Sequence, residues 1–217
     1  MDALVRPQAV VFDVGNVLLD WDPAYLFDTL ISTAEERDWF LTHVATLGWH
    51  SMQDRGRSCA EGVADLTRRF PGSARLIEAY YERWLDTIGG TIEGSVEIMS
   101  RLRAAGVPVH TITNFSAELW PMTVEAYPFL ADFDIAVVSG EVGYIKPDPR
   151  IFDVLLSRSG MSAASMVFID DRADNVEAAA QLGFHALRFT TPEALAEDLA
   201  ALGFPASAAA TDPAVQA

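Results

Sequence analysis

Ala9-Val10-Val11-Phe12-Asp13-Val14-Gly15-Asn16-Val17 is the stretch from which the fold is read. Its first four residues form a short apolar run, the pattern of a strand buried on both faces of a parallel sheet. The run ends in a carboxylate, Asp13, and ligands in open α/β sheets gather outside the carboxyl ends of the strands. The pattern returns late in the chain, where Val167-Phe168-Ile169 runs into Asp170-Asp171. One Asp after a strand is often only a helix cap or a turn former. Two such strand ends with three carboxylates point instead to a hard cation, because Mg²⁺ takes oxygen ligands and binds through one or two carboxylates plus waters. Two further strand ends carry polar groups: Thr111-Ile112-Thr113-Asn114 closes one, and Gly143-Tyr144-Ile145-Lys146-Pro147 follows another.

Outward from these ends, strands and helices alternate. Helices are expected at 95–105, 117–126, 149–158, 175–182 and 192–202, and strands at 107–111, 135–138, 166–169 and 185–189. Strict alternation argues for a parallel sheet covered on both faces. About ninety residues separate the first strand from the next, too many for an ordinary crossover, so an inserted cap is expected there. Its helices are read at 23–30, 34–47, 60–70 and 74–88, with Trp39, Phe40 and Val44 on one face of the second. Gly89-Gly90 then breaks the pattern and marks the return to the core. The core is expected to comprise 8–16 and 91–205, the cap 17–90, and the Ala-rich segment 206–217 a disordered tail.

The chain has 217 residues, half of them hydrophobic, enough for one core with an insertion. Its 15 basic and 31 acidic residues leave a formal charge of −16, a field that repels nucleic acid and anionic membranes. Any anionic substrate must therefore be held by local positive groups. The lone Cys59 leaves no intrachain disulfide and suits a reducing compartment. Met1-Asp2-Ala3-Leu4-Val5-Arg6-Pro7 lacks the basic start and apolar stretch of a signal peptide, and no segment approaches the ~20 apolar residues of a membrane span. The cytoplasm is the expected location.

Four motifs in order, Phe12 to Val17, Thr113-Asn114, Lys146 within Lys146-Pro147-Asp148-Pro149, and Phe168-Ile169-Asp170-Asp171-Arg172-Ala173-Asp174-Asn175, resemble the signature of the haloacid dehalogenase superfamily. Within it the chain is similar to the small-cap phosphatase branch that includes α-glucose-1-phosphate phosphatase and the amino-terminal phosphatase domain of soluble epoxide hydrolase. The resemblance implies a three-layer Rossmann-like α/β core with a helical cap. It also implies a Mg²⁺-dependent phosphatase that hydrolyses a small phosphorylated metabolite, such as a sugar phosphate, through an aspartyl-phosphate. On that pattern Asp13 is the nucleophile and Lys146 offsets repulsion between it and the phosphate. Asp13, Asp171 and the backbone carbonyl of Gly15 hold the metal, with Asp170 behind them or substituting as a ligand and Asn175 orienting the surrounding groups. Gly15, Asn16, Thr113 and Asn114 face the phosphate.

One position departs from the pattern. Most phosphatases of the superfamily carry an acid two residues after the nucleophile to protonate the leaving oxygen, and here that residue is Gly15. General acid catalysis typically contributes 10² to 10⁴ in rate. Asp20 and Asp22 are candidate replacements, although a capped turn before Pro23 accounts for both. His50, in the segment that also holds Trp49, Gln53 and Arg55, is the better candidate, and His50 and Arg55 are expected to meet the substrate. The plainer account of that segment is an amphipathic helix end with an Asp54–Arg55 surface pair. His110, inside a strand, reads as structural.

Two other functions compete. A 2-haloacid dehalogenase would use the same carboxylate through an ester, but such enzymes usually have an aromatic residue at position 15 and small polar residues in place of Asp170-Asp171. A non-catalytic binding module would have lost the acid while sparing Asp13, Lys146 and Asp171.

Overall fold

The computed structural model describes residues 6–206. In chain order the elements are β1 (Ala9–Phe12), β2 (Leu19–Trp21), α1 (Pro23–Phe27), α2 (Ala34–His43), α3 (Leu47–Asp54), α4 (Cys59–Arg69), α5 (Ala74–Glu82), β3 (Ile88–Thr91), α6 (Glu93–Ala104), β4 (Val109–Thr113), α7 (Trp120–Ala126), β5 (Ile135–Val138), α8 (Ser139–Val142), α9 (Pro149–Ser159), β6 (Met166–Asp170), α10 (Ala173–Gln181), β7 (His185–Arg188) and α11 (Pro192–Ala201). Five strands form one parallel sheet in the order β5-β4-β1-β6-β7.

The sheet is buried from both sides, which is why its strands read as continuous apolar runs. Val10 and Phe12 of β1 pack with Ile98, Met99 and Leu102 of α6 and Leu195 and Leu199 of α11. Ala9 and Val11, on the opposite face, pack with Ile151, Phe152 and Leu155 of α9 and Ala179 of α10. β1 lies centrally between β4 and β6, with Phe12 level with Thr111 and Ile169. The register thus delivers Asp13, Asn114 and Asp171 to one edge of the sheet.

Helices α1 to α5 form the inserted cap, whose core joins Phe27, Phe40, Trp49, Leu66, Tyr80 and Trp84. The helix expected over 34–47 is two helices. α2 ends at His43, and Thr46 caps α3 by accepting the Trp49 N–H at 3.1 Å. Phe40 and Val44 are buried as expected, whereas Trp39 is 52% exposed and stacks on His43. The helix expected over 74–88 ends at Glu82, followed by a 3₁₀ turn at Trp84–Thr87 and then β3. Ile88 is taken from the helix because β3 pairs antiparallel with β2, a ribbon for which local periodicity carried no signal. The strand expected at 107–111 begins at Val109: the Val107 N–H closes α6 by bonding Leu102, and Pro108 has no N–H to give. Ala206, the first residue of the expected tail, is fully buried and accepts from Arg101 at 2.8 Å, while 207–217 lie outside the described residues. Among the described residues no helix is long and apolar enough to cross a membrane.

Candidate active site

The sheet edge meets the cap across a cavity of about 490 Å³. Its floor is Asp13, Gly15, Asn16, Asn114, Lys146, Asp171, Arg172 and Asn175, and its far wall is drawn from α3, Trp21, Trp84 and Ile88. Lys146 is the hub of the floor. It sits on the loop between α8 and α9, with its side chain fully buried and its Nζ 2.8 Å from Asp13 Oδ2 and 2.7 Å from Asp170 Oδ2. Burial works against its charge, but Asp13 and Asp170 outweigh that and keep it a firm ammonium. The loop is pinned by Asn114, whose Oδ1 accepts the Lys146 N–H at 2.7 Å and whose Nδ2 donates to the Lys146 carbonyl at 3.1 Å.

The carboxylates divide by their partners. Asp170 is fully buried and saturated: besides Lys146 it accepts both from Asn175 Nδ2, at 2.9 and 3.0 Å, and from the Arg172 N–H at 2.9 Å. Among the described residues Asp13 accepts only from Lys146 and from the Val14 N–H at 2.7 Å, and Asp171 is half-buried at the cavity wall. Burial pushes the Asp13 carboxyl up to about 7, Lys146 opposing and Asp170 adding to the rise. Asp171 is also raised, by burial and then by Asp170.

One oxygen from each of Asp13, Asp170 and Asp171 lies within 4.8 Å of the others. Three carboxylates against one ammonium leave two uncompensated negative charges, which a divalent cation would balance. Asn175 Oδ1 is buried at this wall without a hydrogen-bond partner among the described residues, as a site completed by a cation's water would require. The donor set is all oxygen, so the residues fit Mg²⁺.

The expected phosphate-facing residues are placed unevenly. Gly15 and Asn16 line the cavity, and Asn16 takes a left-handed φ of 57°, which Asn tolerates, to turn the chain so that its Oδ1 accepts the Trp21 N–H at 3.0 Å. Thr113 is buried and is not among the cavity's walls. A Cβ built on Gly15 meets nothing within 4 Å, so the position of the missing acid is open space.

The cap residues correct the sequence reading most. Arg55 is exposed and does not reach the cavity. His50 does, but its ring packs against those of Trp21 and Trp84 at 5.6 and 5.5 Å, and burial pushes it down to about 4. At neutral pH it has no acidic proton to give beyond its single ring N–H. Asp22 caps α1 through the Ala24 N–H at 2.8 Å, and Asp20 accepts from Tyr25 Oη at 2.7 Å, so both serve the local turn. His110 is buried in β4. Among the cavity residues that were not candidates from the sequence, two are ionisable. Arg172 lines the wall while paired with Asp174, and Asp54 is buried at the wall instead of pairing with Arg55 on the surface. The missed signal was the spacing 47, 50, 51, 54, one face of a helix.

Comparisons with known proteins agree with this geometry. Acyl-CoA dehydrogenase family member 10 of Mus musculus is 35% identical over 91% of this chain, which spans 19% of that protein's length. The chloroplast flavin mononucleotide hydrolase 1 of Arabidopsis thaliana is 30% identical over 52% of the chain and 45% of its own. The sesquiterpene phosphatase astK of Aspergillus oryzae is 27% identical over 84% of this chain and 90% of its own. On the dehalogenase side, (S)-2-haloacid dehalogenase 4A of Burkholderia cepacia is 25% identical over 83% of this chain and 82% of its own. An enzyme from Bacteroides thetaiotaomicron shares the fold at a TM-score of 0.69 and 22% identity, covering 89% of this chain and 98% of its own, and has been solved in complex with magnesium and inorganic phosphate. The family model described as haloacid dehalogenase-like hydrolase matches residues 7–183, a span that takes in Asp13, Lys146, Asp170, Asp171 and Asn175. The chain belongs to the haloacid dehalogenase-like hydrolase family.

Proposed function

We propose that this hydrolase is a Mg²⁺-dependent phosphatase acting on a small phosphorylated metabolite through an aspartyl-phosphate on Asp13. The observation that carries the reading is Lys146 Nζ held between Asp13 and Asp170 beside a third carboxylate, Asp171. Asp13 Oδ1 accepts from the Val14 N–H and faces no side-chain cation, and Asp171 is half-buried at the cavity wall, so with the Gly15 carbonyl they are the residues to hold Mg²⁺. When bound, the cation neutralises charge on the phosphoryl oxygens. Lys146 keeps Asp13 oriented and offsets its repulsion toward the incoming dianion. Asp170, braced by Asn175, fixes Lys146 in turn. We read 17–90 as the cap and 8–16 with 91–205 as the catalytic core.

The walls bear on the substrate. Leu19, Trp21, Trp84, Ile88 and Phe115 face the cavity, which favours an alcohol portion with a large apolar or planar surface over a bare sugar. The test is a panel of phosphorylated metabolites and aryl phosphates with Mg²⁺, with Asp13→Asn as control. Turnover is expected in the parent and none above background in the variant, since an amide cannot form the acyl-phosphate. A variant that retained activity would refute the covalent route, and release of halide from a 2-haloacid without Mg²⁺ would favour the dehalogenase reading.

A further inference from the structure

The phosphatase reading leaves the leaving oxygen without a proton source, because Gly15 is open space and His50 is a neutral imidazole. Asp54 remains. It lies one helical turn beyond His50 on α3, is 6% exposed, and lines the same cavity as Asp13 and Lys146. Among the described residues its Oδ1 has no hydrogen-bond partner, and the closest basic nitrogen, His50 Nε2, is 3.7 Å away, beyond bonding range. We propose that Asp54 is the proton donor to the leaving oxygen, entering from the cap side in place of the acid that Gly15 lacks.

The surroundings set its protonation. The titratable groups near it are His50 on its own helix, Cys59 on α4, and Tyr80 and Tyr81 on α5. Glu141 of α8, which packs on α3, is exposed. Among the described residues no Lys or Arg nitrogen lies within 4.0 Å of it to stabilise a carboxylate. Burial pushes its carboxyl up to about 7, so the neutral acid, which can donate, is populated near neutrality. The reaction balances. An Asp13 oxygen bonds phosphorus as the bond from phosphorus to the alcohol oxygen breaks, and the Asp54 proton passes to that oxygen, releasing the alcohol and leaving a carboxylate. Water then bonds phosphorus, the aspartyl oxygen leaves as carboxylate, and the water's proton returns to Asp54.

This inference rests on the phosphatase reading, and one experiment separates the two. kcat/KM would be measured with Mg²⁺ across aryl and alkyl phosphates of graded leaving-group pKa in the parent, Asp54→Asn and Asp54→Glu. An acidic phenol leaves without help, so Asp54→Asn should change its rate by less than about threefold, while alkyl esters should lose on the order of 10² to 10³. The loss should fall on kcat, the basic limb of the pH profile should vanish, and Asp54→Glu should recover part of the rate. Adding Gly15→Asp to Asp54→Asn should restore alkyl-ester turnover by supplying the proton from the open space at position 15. An equal loss for every ester in Asp54→Asn, whether from misfolding or weakened binding, would overturn the donor role if Gly15→Asp then failed to restore the alkyl esters. If the parent hydrolysed no ester at all, the phosphatase reading would fall and this proposal with it.

Discussion

Lys146 is one positive charge among three carboxylates, and an anionic substrate can enter this strongly acidic chain only where that imbalance is offset. On the proposed reading a bound Mg²⁺ supplies the missing attraction, so its removal should be decisive. Among the described residues no side chain braces the Asp171 carboxylate, whereas Lys146 and Asn175 brace that of Asp170. Asp171→Ala should therefore lower kcat/KM by at least about 10²-fold, equivalent to about 3 kcal/mol of lost transition-state stabilisation. It should also abolish the rise in Tm that Mg²⁺ gives the parent, since binding to the folded state alone stabilises it. A Mg²⁺-dependent Tm shift retained in Asp171→Ala would show that Asp171 is not a ligand.

Helices α3 and α4 show how local capping places the cavity wall. Ser58 caps α4 by accepting the Glu61 N–H, and Glu61 reaches back to the Ser58 N–H, each at 3.2 Å. This reciprocal pair fixes the start of the helix behind α3, where Trp49 Nε1 donates to the Gly62 carbonyl at 3.0 Å. Ser58→Ala should cost about 1 kcal/mol in urea unfolding. Because α4 supplies no residue to the cavity, kcat should stay within about twofold of the parent. A change in kcat without a change in stability would instead place Ser58 in the reaction.

At the scale of the whole molecule, His50 and Asp54 should hide each other's pH dependence. Asp54 has its folded value raised from 3.8 to about 7, so between those values only the folded state holds the proton and stability falls as pH rises. His50 has its folded value lowered from 6.5 to about 4, so between those values only the unfolded state is protonated and stability climbs with pH. From about pH 4 to 6.5 the two slopes oppose, and the net contribution of this pair is nearly flat. Relative to the parent, Asp54→Asn should make the change in stability across that window more positive by up to about 3 kcal/mol, read by chemical denaturation of both proteins at several pH values. An unchanged pH dependence would mean that Asp54 is not held protonated. The parallel core and the carboxylates at its strand ends were legible in the chain, because a strand buried on both faces must be apolar throughout and its terminating polar residue stands out. Asn114 and Lys146 were legible as polar groups at strand and loop ends, though not their mutual bonds across 32 residues of sequence. The β2–β3 ribbon, the neutrality of His50 and the burial of Asp54 were decided only by the tertiary structure. Each depends on partners far along the chain: Ile88 opposite Trp21, Trp84 stacked on His50, and Cys59, Tyr80 and Tyr81 around the end of α3. Local periodicity determines which residues share a helix face, and packing determines whether that face meets water, a protein core or a cavity.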